Sequence, residues 1–122
     1  MRAAIKKVHS PDVMDLHKYQ PRESDDFCFL MQVMVGPKDE EGEESFDFIV
    51  CTPTWLLNHH KIEDVILGKS YILVFQFNFE RIMMTLEKLV GSFSGNTWTE
   101  IAEKISRFGK WEFEDYREFS GG

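Results

Sequence analysis

Phe27-Cys28-Phe29-Leu30-Met31-Gln32-Val33-Met34-Val35, then the polar Gly36-Pro37-Lys38-Asp39-Glu40-Glu41-Gly42-Glu43-Glu44, then Ser45-Phe46-Asp47-Phe48-Ile49-Val50-Cys51, is the stretch on which the fold turns. At period two, Phe27, Phe29, Met31, Val33 and Val35 fall on one face of the first run, and Phe46, Phe48 and Val50 on one face of the second. The opposite faces mix Gln32, Ser45 and Asp47 with Cys28, Leu30, Met34, Ile49 and Cys51. Two such runs joined by turn-forming residues predict an antiparallel hairpin with an acidic tip.

Upstream, Arg2 to His9 reads as a short strand, and Ser10 to Asp26 as a long polar connection that Val13 and Leu16 can anchor. Downstream, Thr52-Pro53 is a helix start, because Thr caps and Pro at the first helical position loses no hydrogen bond. Tyr71 to Phe77, preceded by Gly68, is apolar on both faces apart from Gln76 and the Tyr71 hydroxyl, which predicts an interior strand. Asn78 can cap a helix whose stripe is Ile82, Met83, Leu86, Leu89, Val90 and Phe93. Thr97-Trp98-Thr99-Glu100 has the form of a capping box, and Trp98, Ile101, Ala102, Ile105 and Phe108 repeat the stripe before Gly109 ends the helix in a left-handed position. The aromatic and acidic tail from Trp111 has no period that decides its conformation. The order β-β-β-α-β-α-α predicts one α+β domain over residues 1–122. Its antiparallel sheet has about four strands, with two to three helices packed on the face carrying Phe29, Met31 and Phe48.

The chain has 122 residues, 43% apolar, 14% aromatic and 29% charged, a globular composition that excludes a disordered, collagen-like or coiled-coil chain. Apolar runs fall far short of the roughly 20 residues that cross a bilayer, and the opening Met1-Arg2-Ala3-Ala4-Ile5-Lys6-Lys7 has no secretory apolar region. The expectation is a soluble cytoplasmic protein with no membrane partner. Fourteen basic against twenty-one acidic residues give −7, which argues against direct nucleic-acid binding. Asp39 to Glu44 carries −5 and Glu112 to Glu118 carries −3, so the rest of the chain sums to +1.

Residues capable of chemistry are present, but not in reacting patterns. Cys28 and Cys51 lie in strand-like runs and read as buried thiols that a bridge would join only if the two strands pair; Cys51, beside a helix start, is also a candidate for a lowered pKa. His59-His60 beside Glu63 and Asp64 gives pairs four apart but no third metal ligand, and reads as a solvated helix end. No nucleophile elbow and no phosphate loop occurs. Neither catalytic residues, nor a metal, nor a cofactor is expected. Asp39, Glu40, Glu41, Glu43 and Glu44 form either a solubilising turn or an electrostatic docking surface for a basic partner. The tail offers Trp111, Glu112, Glu114, Asp115 and Tyr116, aromatics as anchors and acids as rim, unless Trp111 and Phe113 simply pack on the sheet.

The sequence resembles the immunity protein 8 family of bacterial polymorphic toxin systems. The resemblance is carried by Ser10-Pro11-Asp12, by Val35-Gly36-Pro37-Lys38 leading into Gly42-Glu43-Glu44-Ser45-Phe46-Asp47-Phe48-Ile49-Val50-Cys51-Thr52-Pro53-Thr54-Trp55-Leu56, and by Thr97-Trp98 through Gly109-Lys110-Trp111-Glu112-Phe113-Glu114-Asp115-Tyr116, in that order over nearly the whole chain. It implies an α+β cytoplasmic protein, not an enzyme, encoded beside a secreted or contact-delivered toxin that it binds and blocks. The partner the resemblance implies is the cognate toxin domain; the chain's own acidic charge points to a basic one, as a nuclease would be. The rival reading is a small enzyme or ligand-binding domain with a pocket between sheet and helices, and a third is an interaction module of a larger assembly.

Overall fold

The alternating runs become the centre of a sheet. The computed structural model describes residues 1–114, and in it strands β2 (Cys28–Pro37) and β3 (Glu44–Cys51) pair antiparallel. Phe29 stands opposite Val50, Met31 opposite Phe48 and Val33 opposite Phe46, and all six side chains are buried. The hairpin closes through two glycines. A Cβ on Gly36 would lie 1.9 Å from the Gly42 carbonyl oxygen, and Gly42 itself has φ +111°, a conformation L side chains rarely adopt. At the other end Thr52, fully buried, extends the ladder: its N–H donates to the Phe27 carbonyl at 3.2 Å, and its hydroxyl accepts the N–H of Phe27 at 3.4 Å and of Trp55 at 3.2 Å. One hydroxyl thus ends the strand and caps helix α1 (Pro53–His59).

Strand β1 (Ala3–His9) pairs antiparallel with β2, with an irregularity between Ile5 and Lys7 that leaves Lys6 as the extra residue. Beyond the end of β1, Asp12 Oδ2 accepts the N–H of Leu30 at 2.8 Å, and Val13 and Leu16 are buried, so the polar connection is pinned where expected. Helix α2 (Phe79–Gly91) buries Ile82, Leu86 and Val90; helix α3 (Trp98–Ile105) buries Ile101, Ala102 and Ile105. They join the core on the Phe29, Met31 and Phe48 face. Asn78 and Thr97 cap them by accepting the N–H of Arg81 and Glu100. The Glu100 carboxylate accepts from the N–H of Asn96 at 2.8 Å, so the returning half of the capping box sits one residue upstream of the cap. Tyr19, Phe27, Phe29 and Phe77 fill one end of the core through mostly edge-to-face contacts.

The α+β class holds: the described residues form a mixed, mostly antiparallel sheet of five strands and three helices, of which α1 buries no side chain. Three expectations need correction. The 71–77 run is not an interior strand: β4 (Tyr71–Leu73) has three residues, pairs parallel with Ile49–Cys51, and ends the order β1-β2-β3-β4. Because α1 intervenes, the chain returns alongside β3 rather than antiparallel to it, and apolarity on both faces here marks exposure, with Leu73 and Phe75 uncovered. Gly109 does not terminate α3, which ends at Ile105 with Ser106 as its cap, and Gly109 is not among the residues with positive φ. Its constraint is space: a Cβ there would lie 2.5 Å from the Phe48 ring. Phe108, beyond the helix end, is exposed rather than part of its buried stripe. The tail, whose conformation the sequence left open, adds β5 (Lys110–Trp111), antiparallel to Phe46–Asp47. Among the described residues no helix is long and apolar enough to cross a membrane.

Candidate functional site

The outer edge of β3 gathers the features that the core does not explain. Its first half is paired by β5 and its second by β4, so three structures line up beside it from Glu44 to Cys51: the hairpin tip, the 110–114 segment and the end of the 60–70 connection.

At the tip, Asp39, Glu40, Glu41 and Glu43 are exposed. Lys7 Nζ lies 3.3 Å from Glu43 Oε1, and Lys6 Nζ donates to the Glu40 carbonyl at 2.9 Å, so β1 lysines brace the loop without neutralising most of its charge. Glu44 behaves differently. Half-buried, it accepts the indole N–H of Trp98 on one oxygen and that of Trp111 at 3.1 Å on the other. Trp111 in turn lies flat on Phe46, centroids 6.2 Å apart and planes 9° from parallel. Glu112 is tied at both ends to Ser45, donating its N–H to the Ser45 carbonyl at 3.0 Å and accepting the Ser45 N–H at 2.7 Å. Glu114 forms an ion pair with Lys69. The structure therefore brings Glu112 and Glu114 of the second acidic segment alongside β3 next to the hairpin tip, and Glu44, Trp111, Glu112 and Glu114 are engaged in holding the 110–114 segment there. Asp115 and Tyr116 lie outside the described residues.

Next along the edge is a feature the sequence reading passed over. Every residue from 57 to 69 is exposed. Of the twelve large apolar side chains exposed among the described residues, seven fall between positions 57 and 75: Leu57, Ile62, Val65, Ile66, Leu67, Leu73 and Phe75. Ile62 is 103% exposed, Val65 88% and Leu67 87%. Within the loop the bonds are local, Lys61 N–H to Asp64 Oδ2 at 2.8 Å, Asp64 N–H to the Lys61 carbonyl at 3.0 Å, and His60 Nδ1 3.4 Å from Asp64 Oδ2, while Asn58 Nδ2 donating to Asp26 Oδ2 at 3.3 Å and Lys69 paired with Glu114 tie its two ends to the body. It rejoins the sheet at Ser70, whose φ of 71° is left-handed and whose carbonyl accepts the Ile49 N–H at 2.8 Å. In the sequence Ile62, Val65 and Ile66 stand at helical spacing and Leu73 and Phe75 at period two, but neither repeat is sustained: the first spans about one turn and stops before Gly68, too short to make a stripe that a helix would bury.

The chemical candidates are accounted for by packing. His59 stacks on Trp55 with centroids 4.2 Å apart, and its Nδ1 lies 2.9 Å from the Trp55 carbonyl, so its position is set within the helix. No group of three or more His, Cys, Asp or Glu among the described residues could hold a metal ion. Cys28 and Cys51 stand directly opposite each other in the ladder as free thiols. Cys51 is fully buried, and that burial, with the neighbouring Cys28, pushes its pKa up to about 11, the reverse of the lowered value a helix start suggested. Two open grooves run along β1 against α2, of about 540 and 710 Å³. Neither is lined by a cysteine, and their Lys6, Lys7, His17, Glu80 and Glu87 alternate with apolar groups without converging on one point.

A family model described as Immunity protein 8 matches residues 3–116, a span that takes in every strand and helix described above. No curated protein matches the chain, and no solved structure does.

Proposed function

The chain belongs to the immunity protein 8 family, an immunity function within a toxin system, and from that premise we propose that it acts in the cytoplasm by binding a basic cognate toxin domain with the acidic end of the β3 edge. The observation that carries this reading is the exposure of Asp39, Glu40, Glu41 and Glu43 on a tip braced at its base by Glu44 and the two tryptophans. A fixed cluster of carboxylates raises the encounter rate with a positive surface and disfavours acidic competitors. A nuclease suits such a partner, because a cleft that binds a polyanion is basic, and occupying it blocks substrate. Glu44, Trp111, Glu112 and Glu114 position the surface.

The test uses the toxin domain encoded beside this chain. Replacing Asp39, Glu40, Glu41 and Glu43 by their amides, with Glu44 left intact, should slow association at low ionic strength by roughly tenfold, flatten its salt dependence and leave dissociation nearly unchanged. Association at the wild-type rate would make the tip a solubilising turn and remove this assignment. Failure of co-expression to rescue growth from the toxin domain would remove the function itself.

A further inference from the structure

We propose that the exposed apolar segment between Leu57 and Phe75 is the anchor of the complex, inserting Ile62, Val65 and Leu67 into an apolar cleft of the toxin domain beside the basic surface that meets the hairpin tip. This rests on the reading above and names the short-range half of the same interface.

Exposure on this scale is unusual without a partner. An aliphatic side chain in water forfeits the free energy that drives folding, and contiguous apolar surface on a soluble protein marks a contact site. The segment is also poorly suited to long-range attraction. Between positions 57 and 69 it holds Lys61 and Lys69 against Glu63 and Asp64, a net charge of zero. Two of these are already paired, Asp64 with His60 and Lys69 with Glu114. Attraction must come from elsewhere, and the nearest concentrated charge is the acidic end of the same edge.

Continuity between the two is built into the sheet. Lys69 in the loop pairs with Glu114, Glu112 is bonded to Ser45, and Ser45 adjoins Glu44 at the foot of the tip. From Glu44 to Ile49, where Ser70 returns the loop to the sheet, is five residues of strand, about 17 Å at the usual rise. A single domain contacting roughly 800 Å² of this surface covers both. The occupant is therefore apolar at its centre and basic on the side facing the tip: charge complementarity selects the toxin domain rather than a second acidic copy of this chain. It also assigns the roles separately, the tip governing association and the loop governing dissociation.

The experiment measures association and dissociation of the toxin domain with three full-length proteins: wild type, the Ile62→Ser, Val65→Ser, Leu67→Ser variant, and the tip variant with four amides. The three loop side chains are exposed, so the loop variant should melt with wild type. Its expected behaviour is unchanged association and dissociation faster by roughly 100-fold, while the tip variant shows the converse pattern. Dissociation from the loop variant at the wild-type rate, with the tip variant slowed in association, would overturn the anchor and leave the proposed function standing. Absence of any wild-type complex would overturn both. Sedimentation of each protein alone is the companion measurement: a wild-type dimer that becomes monomeric on loop substitution would assign the segment to self-association and overturn the proposal.

Discussion

The β2–β3 hairpin and the 57–75 connection contain the same kinds of side chain and treat them in opposite ways. In the hairpin the apolar residues at period two pair across the ladder and share one core cluster with the buried residues of α2 and α3, and Met31, Val35, Phe46 and Val50 have no exposure. In the connection Ile62, Val65 and Leu67 meet almost nothing. Apolar content alone therefore does not mark a core; a repeat sustained along a whole strand or helix does, because it keeps apolar groups on a common face. Apolar residues without such a sustained repeat remain where the fold leaves them, available to another molecule.

The sharpest way to break that contrast is to truncate an aromatic on each side of it. Phe46→Ala should cost about 3–5 kcal/mol in urea unfolding, through lost burial and a cavity beneath Trp111, while Phe75→Ala should change stability by less than about 0.5 kcal/mol. Comparable losses would mean that the connection packs against the body in solution.

Gly109→Ala should cost about 1–3 kcal/mol, from collision of the new methyl group with Phe48. A Phe48→Leu background should recover part of that loss in a double-mutant cycle; strictly additive effects would show that the ring is not the obstacle.

Thr52→Ala and Thr97→Ala should each cost about 0.5–2 kcal/mol, the former toward the upper end because its buried hydroxyl serves both Phe27, just before β2, and α1. Equal melting of both variants with wild type would place the caps elsewhere.

The Cys51 thiol separates the two regions by pH. The Cys51 thiol holds its proton to about pH 11 when folded, against an ordinary value of 9.0. Between those values the unfolded chain releases a proton that the folded chain keeps, so stability falls as pH rises through this window. Cys51→Ala should lessen that fall relative to wild type, whereas the Ile62→Ser, Val65→Ser, Leu67→Ser variant should keep the wild-type slope. An unchanged slope in Cys51→Ala would show that the thiol does not carry it.

What could be read from the sequence follows the same division. The alternating strands, the anchors Val13 and Leu16, the caps Thr52, Asn78 and Thr97 and the buried stripes of α2 and α3 all depend on short-range pattern, which sequence displays directly. The pairing of β4 with β3 was not legible, because its direction depends on where α1 returns the chain, and an apolar run looks alike at an edge and in a sheet centre. Gly109 was readable as special but not for its reason, since contact with Phe48 joins residues distant in sequence. The acidic segments were visible as charge, yet nothing in their order revealed that Glu44 would bind two indoles or that Glu112 would grip Ser45. Trp111, read either as an anchor for a partner or as packing on the sheet, lies on Phe46, and the more exposed apolar groups lie in the 57–75 connection.

The most direct measurement is amide hydrogen exchange on the complex with the neighbouring toxin domain, compared with the free protein. New protection is expected at residues 39–45 and 61–70, the two ends of the β3 edge, with β1 and α2 unchanged. Protection confined to β1 and α2, with both ends of the β3 edge exchanging as in the free protein, would contradict it.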